Sequence, residues 1–405
     1  MTNLARLALA LWLILIVAVS IRVATVPASK QSVVPVYRAS GERWSVGESL
    51  YAPAPPHDVY RYPPIFAAVH STLAKLPERS SALLWRWVGA SLFLVGLWQF
   101  SRATSPGQFP LMACLTVPLV LQCFNNGQAN LHIIGLVLIG TAEIVRRQYT
   151  ASAIAFAFAA GIKMYPLAAG LLGSLIAPRA MFGRLGLAVV VLFALPFVLH
   201  NPSYVVRQHV ELWEWSQRDD RLHTASDERA PRDWTILCRT WLCTIPSTTT
   251  VRGVAVIAGL GMAGLIFIAR KRRGVPFAAA MTVALGGIWM TLFGPQTESV
   301  TYCFIAPGAA WLIARGSRIT VLLAVTGYIL HVIPVVRDMF PRGWTWNVLG
   351  PQAVGTILFL IAATWEIAKV NRSASDQKCN ERTETMGTSL IGSLRRDLSN
   401  GAGGI

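Results

Sequence analysis

Long apolar runs recur along most of the chain and restrict its fold more than any other feature. Only 14% of the 405 residues are charged, against about 25% in a typical soluble domain. Crossing about 30 Å of hydrocarbon takes roughly 20 apolar residues in a helix. Such runs predict membrane crossings near 4–26, 81–101, 108–123, 130–146, 184–200, 251–269, 276–293, 300–315, 319–336 and 348–369. The chain is therefore predicted to be an all-α integral membrane protein, with its first run retained because it lacks a clear signal-peptide cleavage site.

The net charge of +17 follows the same pattern. Basic residues occupy short, acid-free connections between the apolar runs: Arg102, Arg146, Arg147, Arg179, Arg184, Arg270, Lys271, Arg272, Arg273, Arg315 and Arg318. Lys and Arg beside membrane crossings mark the cytoplasmic side. The charge is thus explained by topology, without nucleic acid as a partner. It predicts a cell-membrane protein with both termini cytoplasmic and two long extracytoplasmic loops, at about 27–80 and 201–250.

The segment 151–177 is too long for one crossing, yet basic connections flank it on both sides. We expect two short half-helices that enter and return, broken around Lys163 and Pro166. Proline removes a backbone donor, and non-helical backbone at membrane depth persists only when buried in protein or beside water. Counting this hairpin as two gives about 12 passes within a membrane domain at 1–369. The polar segment 370–405 is predicted to be a disordered cytoplasmic tail.

The two long loops show further local patterns. Residues 65–76 form an apolar-polar stretch that is too short to cross and suits a helix lying on the membrane surface. The mixed charges of 201–250 are typical of a solvated surface. Six cysteines show no metal-ligand spacing. Cys238 and Cys243 are compatible with a disulfide in an outer loop, and equally with two thiols that never meet.

Polar residues in or beside crossings are functional candidates because they are costly to keep there. The amides of 125–130 suit a sugar's hydroxyls, or merely satisfy their own turn. Lys163, at the hairpin break, can present its ammonium to a phosphate or can instead cap carbonyls. Glu298 can accept a proton or hold a cation, and it can equally cap the following helix. The Tyr and Trp residues of the first loop offer flat faces to sugar rings, or anchor at the membrane surface.

Four motifs in order resemble a known family. The first loop contains Val36-Tyr37, then Gly47-Glu48-Ser49-Leu50-Tyr51, then Tyr60-Arg61-Tyr62-Pro63-Pro64. Gly127-Gln128-Ala129-Asn130 and Ile162-Lys163-Met164-Tyr165-Pro166 follow. This series is similar to that of glycosyltransferase family 87, integral-membrane enzymes of the GT-C type that include polyprenol-phosphate-mannose-dependent α-mannosyltransferases. The resemblance runs across most of 1–315. It implies a GT-C-like helical bundle of about 12 passes, with short interfacial helices in the two extracytoplasmic loops.

The resemblance also implies site residues. Lys163 and Arg61 are expected to bind the donor phosphate. Tyr37, Tyr62, Asn126, Gln128 and Asn130 are expected to bind the sugar or the acceptor. One departure is clear: the family's Asp before Val-Tyr, thought to be the catalytic base, has no equivalent in 31–37, and 294–299 replaces a later His-containing stretch. Asp58, Glu298 and Glu48 are therefore the candidate catalytic acids.

The implied reaction moves a hexose, with mannose favoured, from a polyprenyl-phosphate sugar to a lipid or glycan acceptor on the extracytoplasmic face, with inversion. No cofactor is expected. No acidic pair with convincing spacing in the first loop supports a divalent metal. Two other functions stay open: a transporter or lipid flippase, and a catalytically silent relative that binds a lipid or glycan.

Overall fold

The structure is a computed structural model that describes residues 2–26, 32–53, 59–218, 220–224, 230–295, 297–337 and 349–369. The chain divides into two units, Met1–Glu366 and Ile367–Ile405. Nearly all of the second unit, including the predicted tail at 370–405, lies outside the described residues. Everything below concerns the first unit and the helix that ends it.

The described residues form helices and no β-strand. The helices long and apolar enough to cross a membrane are α1 (Asn3–Thr25), α4 (Glu78–Thr104), α5 (Phe109–Asn126), α9 (Pro178–Leu199), α13 (Thr248–Ile288, extended by a π-helical turn, Trp289–Phe293), α15 (Arg318–Arg337) and α16 (Pro351–Ala368). Shorter apolar helices are α6 (Asn130–Val145), α7 (Tyr149–Ile162) and α3 (Pro64–Leu73). The prediction of an all-α, multi-pass membrane protein is confirmed, whereas the number of 12 passes stays a prediction.

The helix α13 contains a break where the sequence predicts a basic connection between two crossings. Gly274 has φ 82° and ψ −175°, outside helical geometry, and Pro276 follows two residues later. Proline cannot donate the helical hydrogen bond, and glycine alone tolerates a positive φ at little cost. The two predicted crossings, 251–269 and 276–293, thus meet at Gly274 with no long loop between them.

The predicted hairpin is present as α7 and α8 (Leu167–Ser174), separated by a non-helical break at Lys163–Pro166. Near the start of α7, Arg184 Nε donates to Thr150 Oγ1 at 3.2 Å. Just after the end of α8, Arg270 Nε donates to the Ile176 carbonyl at 3.4 Å. Both ends of the hairpin therefore lie beside basic connections. Its tip contacts the start of α6, as described below, and its insertion into the membrane stays a prediction.

The first long loop contains α2 (Val34–Val46) and α3. The helix α3 falls in the stretch 65–76 that the sequence predicts to be helical, whereas α2 is not anticipated by its apolar pattern. The second long loop contains α10 (Pro202–Arg218), α11 (Arg221–Thr224) and α12 (Thr235–Trp241). Cys238 and Cys243 are both free thiols. After the π-helical turn, a 3-10 helix, Ser299–Ile305, runs directly into α14 (Ala306–Arg315).

The helices α4 and α6 pack closely because glycines face each other. A Cβ at Gly96 would come within 2.5 Å of the Gly135 carbonyl oxygen, and a Cβ at Gly135 would come within 2.6 Å of the Leu92 backbone. Small residues at such interfaces let membrane helices approach closely. This packing brings the first turns of α4 and α6 together and places Trp85 and Arg86 of α4 against the turn that precedes α6.

Candidate functional site

The turn between α5 and α6 lies at the base of the site and is held by side chains of α4. Gly127 follows the last residue of α5 with φ 77°, and its N–H donates to the Cys123 carbonyl at 3.1 Å. A glycine in the left-handed conformation commonly ends a helix in this way. Trp85 Nε1 donates to the Gly127 carbonyl at 3.0 Å, while Arg86 donates to the carbonyls of Phe124 and Asn125 at 3.2 and 3.0 Å. Two α4 side chains thus hold the Gly-Gln-Ala-Asn turn in place.

Lys163 stands over this turn at the tip of the hairpin. Its Nζ donates to Asn130 Oδ1 at 3.0 Å, and Asn130 is fully buried as the first residue of α6. The ammonium lies 5.3 Å from the centre of the Tyr62 ring and 5.6 Å from that of Tyr165. Ring faces attract cations at this distance. Glu298 caps the 3-10 helix Ser299–Ile305, and the Phe304 ring of that helix packs edge-on against the Tyr165 ring with centroids 5.8 Å apart. The structure therefore joins residues of three motifs around one cation, and the helix that Glu298 caps contacts the same hairpin.

Tyr62 and Tyr37 connect the first loop to the same place. Their hydroxyls are hydrogen-bonded at 2.7 Å, and the Ala129 N–H donates to Tyr37 Oη at 3.4 Å. Tyr37 is fully buried, and burial raises the pKa of its hydroxyl well above the ordinary value. It stays protonated and sits beneath Tyr62 and the turn. In this arrangement Tyr37 supports the site, and Tyr62 is the member of the pair that faces Lys163.

The sequence left open whether Glu298 caps a helix or has a chemical role, and its contacts are compatible with both. It forms a capping box with Thr301 at the start of the 3-10 helix, with its own N–H donating to Thr301 Oγ1 at 3.4 Å. Its carboxylate also pairs with Arg221 Nη1 at 2.9 Å, with 40% of the Glu298 side chain exposed. A half-exposed carboxylate near a cation can still reach a proton on a bound molecule. Capping and a chemical role are therefore compatible here.

The other two candidate acids differ in position. The Glu48 side chain is exposed, and its carbonyl accepts a hydrogen bond from Tyr204 Oη at 2.9 Å. No contact brings its carboxylate to Lys163 among those described. Asp58 lies outside the described residues. Of the two candidate acids that the structure describes, Glu298 is the one whose helix contacts the hairpin that carries Lys163.

The remaining predicted residues lie around the same turn or above it. Gln128 is buried within the turn. The Asn126 carbonyl accepts the Val33 N–H at 3.1 Å and so links the turn to the start of α2. Arg61 extends from the Tyr-Arg-Tyr-Pro-Pro motif to α10, where its guanidinium lies 5.1 Å from the centre of the Trp215 ring. Arg61 is therefore directed toward the second loop, away from the turn.

Four residues of the site were not anticipated from the sequence. Arg86 is a buried arginine near the start of a crossing. A charged residue inside an apolar run is visible in the sequence and could have marked it as a candidate. Arg221, which pairs with Glu298, and Glu211, which accepts the Ser49 hydroxyl of the first loop at 2.5 Å, belong to the mixed charges of the second loop. No pattern separates them from their neighbours there. Asp233 is buried beside the 3-10 helix, and Thr235 donates to it from Oγ1 at 2.6 Å and from N–H at 2.9 Å. Burial raises the pKa of the Asp233 carboxyl to about 6.

Within the part of the chain that the structure describes, no group of three or more His, Cys, Asp or Glu side chains could hold a metal ion. The site is instead built from one ammonium, tyrosines, amides and a carboxylate. Such groups bind an anionic, hydroxyl-rich molecule through charge and hydrogen bonds.

Comparison with known proteins defines the class. The model of glycosyltransferase family 87 matches residues 60–295, more than half of the chain. The class is that of membrane glycosyltransferases, consistent with the multi-pass helical architecture. The chain belongs to glycosyltransferase family 87. The match covers the Tyr-Arg-Tyr-Pro-Pro, Gly-Gln-Ala-Asn and Ile-Lys-Met-Tyr-Pro motifs whose residues meet at Lys163.

Two further comparisons complete the picture. A structural match is found with ArnT from Cupriavidus metallidurans bound to undecaprenyl phosphate, at 14% identity and a TM-score of 0.39. It covers 88% of this chain and 76% of that chain. A likeness of this degree is too weak to support an argument. No curated protein matches the chain.

Proposed function

We propose that this protein transfers a hexose, with mannose favoured, from a polyprenyl-phosphate sugar to a lipid or glycan acceptor. The reaction takes place on the extracytoplasmic face of the cell membrane and inverts the anomeric configuration. One observation supports this most: Lys163 is held at the tip of a membrane hairpin, between two tyrosine rings and a buried asparagine. An ammonium fixed at that depth suits a phosphate whose lipid tail remains in the bilayer.

The donor is bound by charge and by hydroxyl recognition. Lys163 neutralises the phosphate, which becomes the leaving group, and fixed cations at developing charge are usually the largest electrostatic contribution to catalysis. Arg61, next to Tyr62 in the same motif, is the second cation proposed for the phosphate. Tyr62, Asn126, Gln128 and Asn130 face or surround the region where the sugar would lie, and Tyr37 positions Tyr62.

Glu298 acts as the general base. It removes the proton from the acceptor hydroxyl, whose oxygen attacks the anomeric carbon as the carbon–phosphate oxygen bond breaks. The phosphate leaves on the lipid, and its charge is balanced by Lys163. General-base assistance is worth about 10²–10⁴-fold. Glu48 and Asp58 are the alternative bases, and Glu298 is preferred because it begins the 3-10 helix that packs against the hairpin carrying Lys163.

A second candidate is a catalytically silent relative that binds a lipid phosphate without transferring the sugar. The observation that favours it is the double engagement of Glu298, in the capping box and with Arg221 at 2.9 Å. A carboxylate used only for these contacts would leave the site without a base. The same phosphate-binding role would then remain for Lys163.

The test is sugar transfer by the purified protein in lipid vesicles. Radiolabelled polyprenyl-phosphate mannose is supplied with a membrane-extract acceptor pool, and the assay is repeated with the glucose and arabinose donors. Glu298→Gln, Glu48→Gln and Asp58→Asn are compared. Transfer that collapses in Glu298→Gln alone supports the proposal, and collapse in another variant moves the base there. Donor binding without transfer for any donor supports the silent relative, and neither binding nor transfer contradicts both.

A further inference from the structure

One face of α10 contacts three consecutive residues of the first loop. The side chains on this face are spaced by four and then three residues along the helix: Tyr204, Gln208 and Glu211. Tyr204 Oη donates to the Glu48 carbonyl at 2.9 Å. Glu211 Oε2 accepts the Ser49 hydroxyl at 2.5 Å, and Gln208 Oε1 accepts the Leu50 N–H at 2.7 Å. The second loop therefore holds the Gly-Glu-Ser-Leu-Tyr motif by side-chain hydrogen bonds.

Gln208 is the fully buried member of this face. Its Oε1 accepts the Leu50 N–H, while its Nε2 has no hydrogen-bond partner among the described residues. A buried donor without a partner is unfavourable. An apolar side chain of the same size would fill this space without that cost. The hydrogen bond to Leu50, and not the packing, therefore accounts for an amide at this position.

Tyr51 links the motif to the Tyr-Arg-Tyr-Pro-Pro motif. It directly follows Leu50, and its Oη donates to the Tyr62 carbonyl at 2.8 Å. Burial raises the pKa of the Tyr51 hydroxyl well above its ordinary value, so the hydroxyl stays protonated and remains a donor. The Tyr60 ring contacts both neighbours, with centroids 5.6 Å from the Tyr51 ring and 5.5 Å from the Tyr62 ring. The position of Leu50 thus determines where the Tyr62 backbone lies.

Tyr62 is the end of this series of contacts and is part of the site. Its ring centre lies 5.3 Å from Lys163 Nζ, and its hydroxyl is hydrogen-bonded to Tyr37 Oη at 2.7 Å. Tyr37 holds the hydroxyl end of the side chain, and Tyr51 holds the backbone end. The attraction between a ring and a cation depends on how the ring face is placed. A shift of the backbone end would therefore turn the Tyr62 ring relative to the ammonium.

We propose that Gln208 and Tyr51 are positioning residues that hold the Tyr62 ring against Lys163. Gln208 acts through Leu50, and Tyr51 acts on the Tyr62 backbone. When either contact is lost, Tyr62 is displaced and the donor binds less tightly, while the groups that carry out the transfer stay in place. The positioning of Tyr62 stands independently of the reaction. Its effect on donor binding rests on the proposed function.

The first test measures the positioning without any ligand. Deuterium uptake of peptides covering 59–66 is followed by mass spectrometry for the full chain in lipid nanodiscs. The variants are Tyr51→Phe, which removes one hydroxyl, and Gln208→Met, which keeps the size and removes the acceptor. The matched control is Tyr328→Phe, because Tyr328 Oη also donates to a backbone carbonyl, that of Leu115 in α5, at 2.8 Å.

The proposal expects several-fold faster uptake in 59–66 for both Tyr51→Phe and Gln208→Met, and wild-type uptake for Tyr328→Phe. Uptake in 59–66 that stays at the wild-type rate in both variants would overturn the positioning. Equally fast uptake in Tyr328→Phe would also overturn it, since the effect would then follow from the loss of any buried hydroxyl contact.

The second test separates positioning from a purely structural role. The KM for the donor and kcat are measured in vesicles, at a temperature below the melting temperature of every variant. Tyr51→Phe and Gln208→Met should each raise the donor KM about tenfold, the size of a typical intramolecular hydrogen bond, with kcat little changed. The double variant should raise KM no more than the larger single variant, because both residues act through the same series of contacts.

A role confined to stability would lower the amount of folded enzyme, and so would lower the apparent kcat and leave KM unchanged. That result, or additive effects in the double variant, would overturn the proposal. If the wild type transfers no sugar from any donor, the proposed function fails. The deuterium uptake of 59–66 then decides the positioning of Tyr62 by itself.

Discussion

Replacing Lys163 by methionine removes the ammonium while keeping a side chain of similar length. Two interactions disappear: the attraction to a bound phosphate, and the hydrogen bond from Nζ to Asn130 Oδ1 at 3.0 Å. The first decides turnover. Removing one fixed donor from developing charge costs about 10²–10³-fold in rate, or roughly 3–4 kcal/mol of transition-state stabilisation. Lys163 is partly shielded from water between two tyrosine rings, so we expect a loss toward the upper end of that range.

The second interaction decides stability. Asn130 is fully buried, and leaving its oxygen without a donor costs about 1–3 kcal/mol. We therefore expect Lys163→Met to lower the melting temperature by a few degrees while remaining folded at the assay temperature. Lys163→Arg keeps a cation and should retain more transfer than the methionine variant.

The assay is radiolabelled transfer in vesicles with the donor that the wild type uses, at saturating and limiting donor. The matched control is Lys75→Met, since Lys75 is an exposed lysine of the first loop with no contact to the hairpin. It should keep both transfer and melting temperature. Transfer by Lys163→Met within a factor of two of wild type would refute the assignment of this lysine to the phosphate.

Three further predictions concern other parts of the site. Glu298→Gln should lower transfer by about 10²–10⁴-fold with little change in melting temperature, because glutamine keeps a side-chain acceptor for the cap; unaltered transfer would exclude it as the base. Gly127→Ala should lower the free energy of unfolding by about 1–2 kcal/mol or more, because φ is 77° and the new Cβ would come within 2.8 Å of Arg86 Nη2. The control Gly261→Ala has open space around the new Cβ and should not destabilise the protein. Thermal melting in detergent compares the two variants. Asp233 has a folded pKa of about 6 against an ordinary 3.8, so the protonated form is favoured by folding. As pH rises from about 4 to about 6, the free energy of unfolding of the wild type should fall by up to about 3 kcal/mol relative to that of Asp233→Asn. A difference in melting temperature between the two proteins that is the same at both pH values would contradict this.

The membrane architecture was predictable because long apolar runs and basic connections obey strong, local rules. The hairpin break at Lys163–Pro166 and the break at Gly274 both fall where the sequence predicts an interruption. At the first break, Lys163 and Pro166 interrupt the helix. At the second, the basic residues 270–273 and Pro276 do so, and neither segment can form one continuous crossing. The motifs that meet at Lys163 were also identifiable, because the family pattern fixes their order.

The rest depends on contacts between segments far apart in sequence. The helix α2 has no clear apolar period, and it is held by Tyr37 in a cluster of aromatic rings and by the turn beside Asn126. Tyr37 is expected to bind the sugar or the acceptor, and its burial beneath Tyr62 depends on contacts that no local pattern predicts. The pairing of Glu298 with Arg221 joins residues 77 positions apart. No local pattern predicts which of the many charges in the second loop makes such a contact.

The hairpin also has a consequence for how the protein is inserted during synthesis. The helix α7 has 14 residues and α8 has eight, both short of the roughly 20 that an independent crossing needs. A lysine near the middle of a membrane segment adds a further penalty of about 3 kcal/mol on insertion scales. We therefore expect that the insertion machinery does not release this pair into lipid by itself, and that it enters only against α6 and α9. Lys163 would then be among the last residues of the bundle to reach its final position.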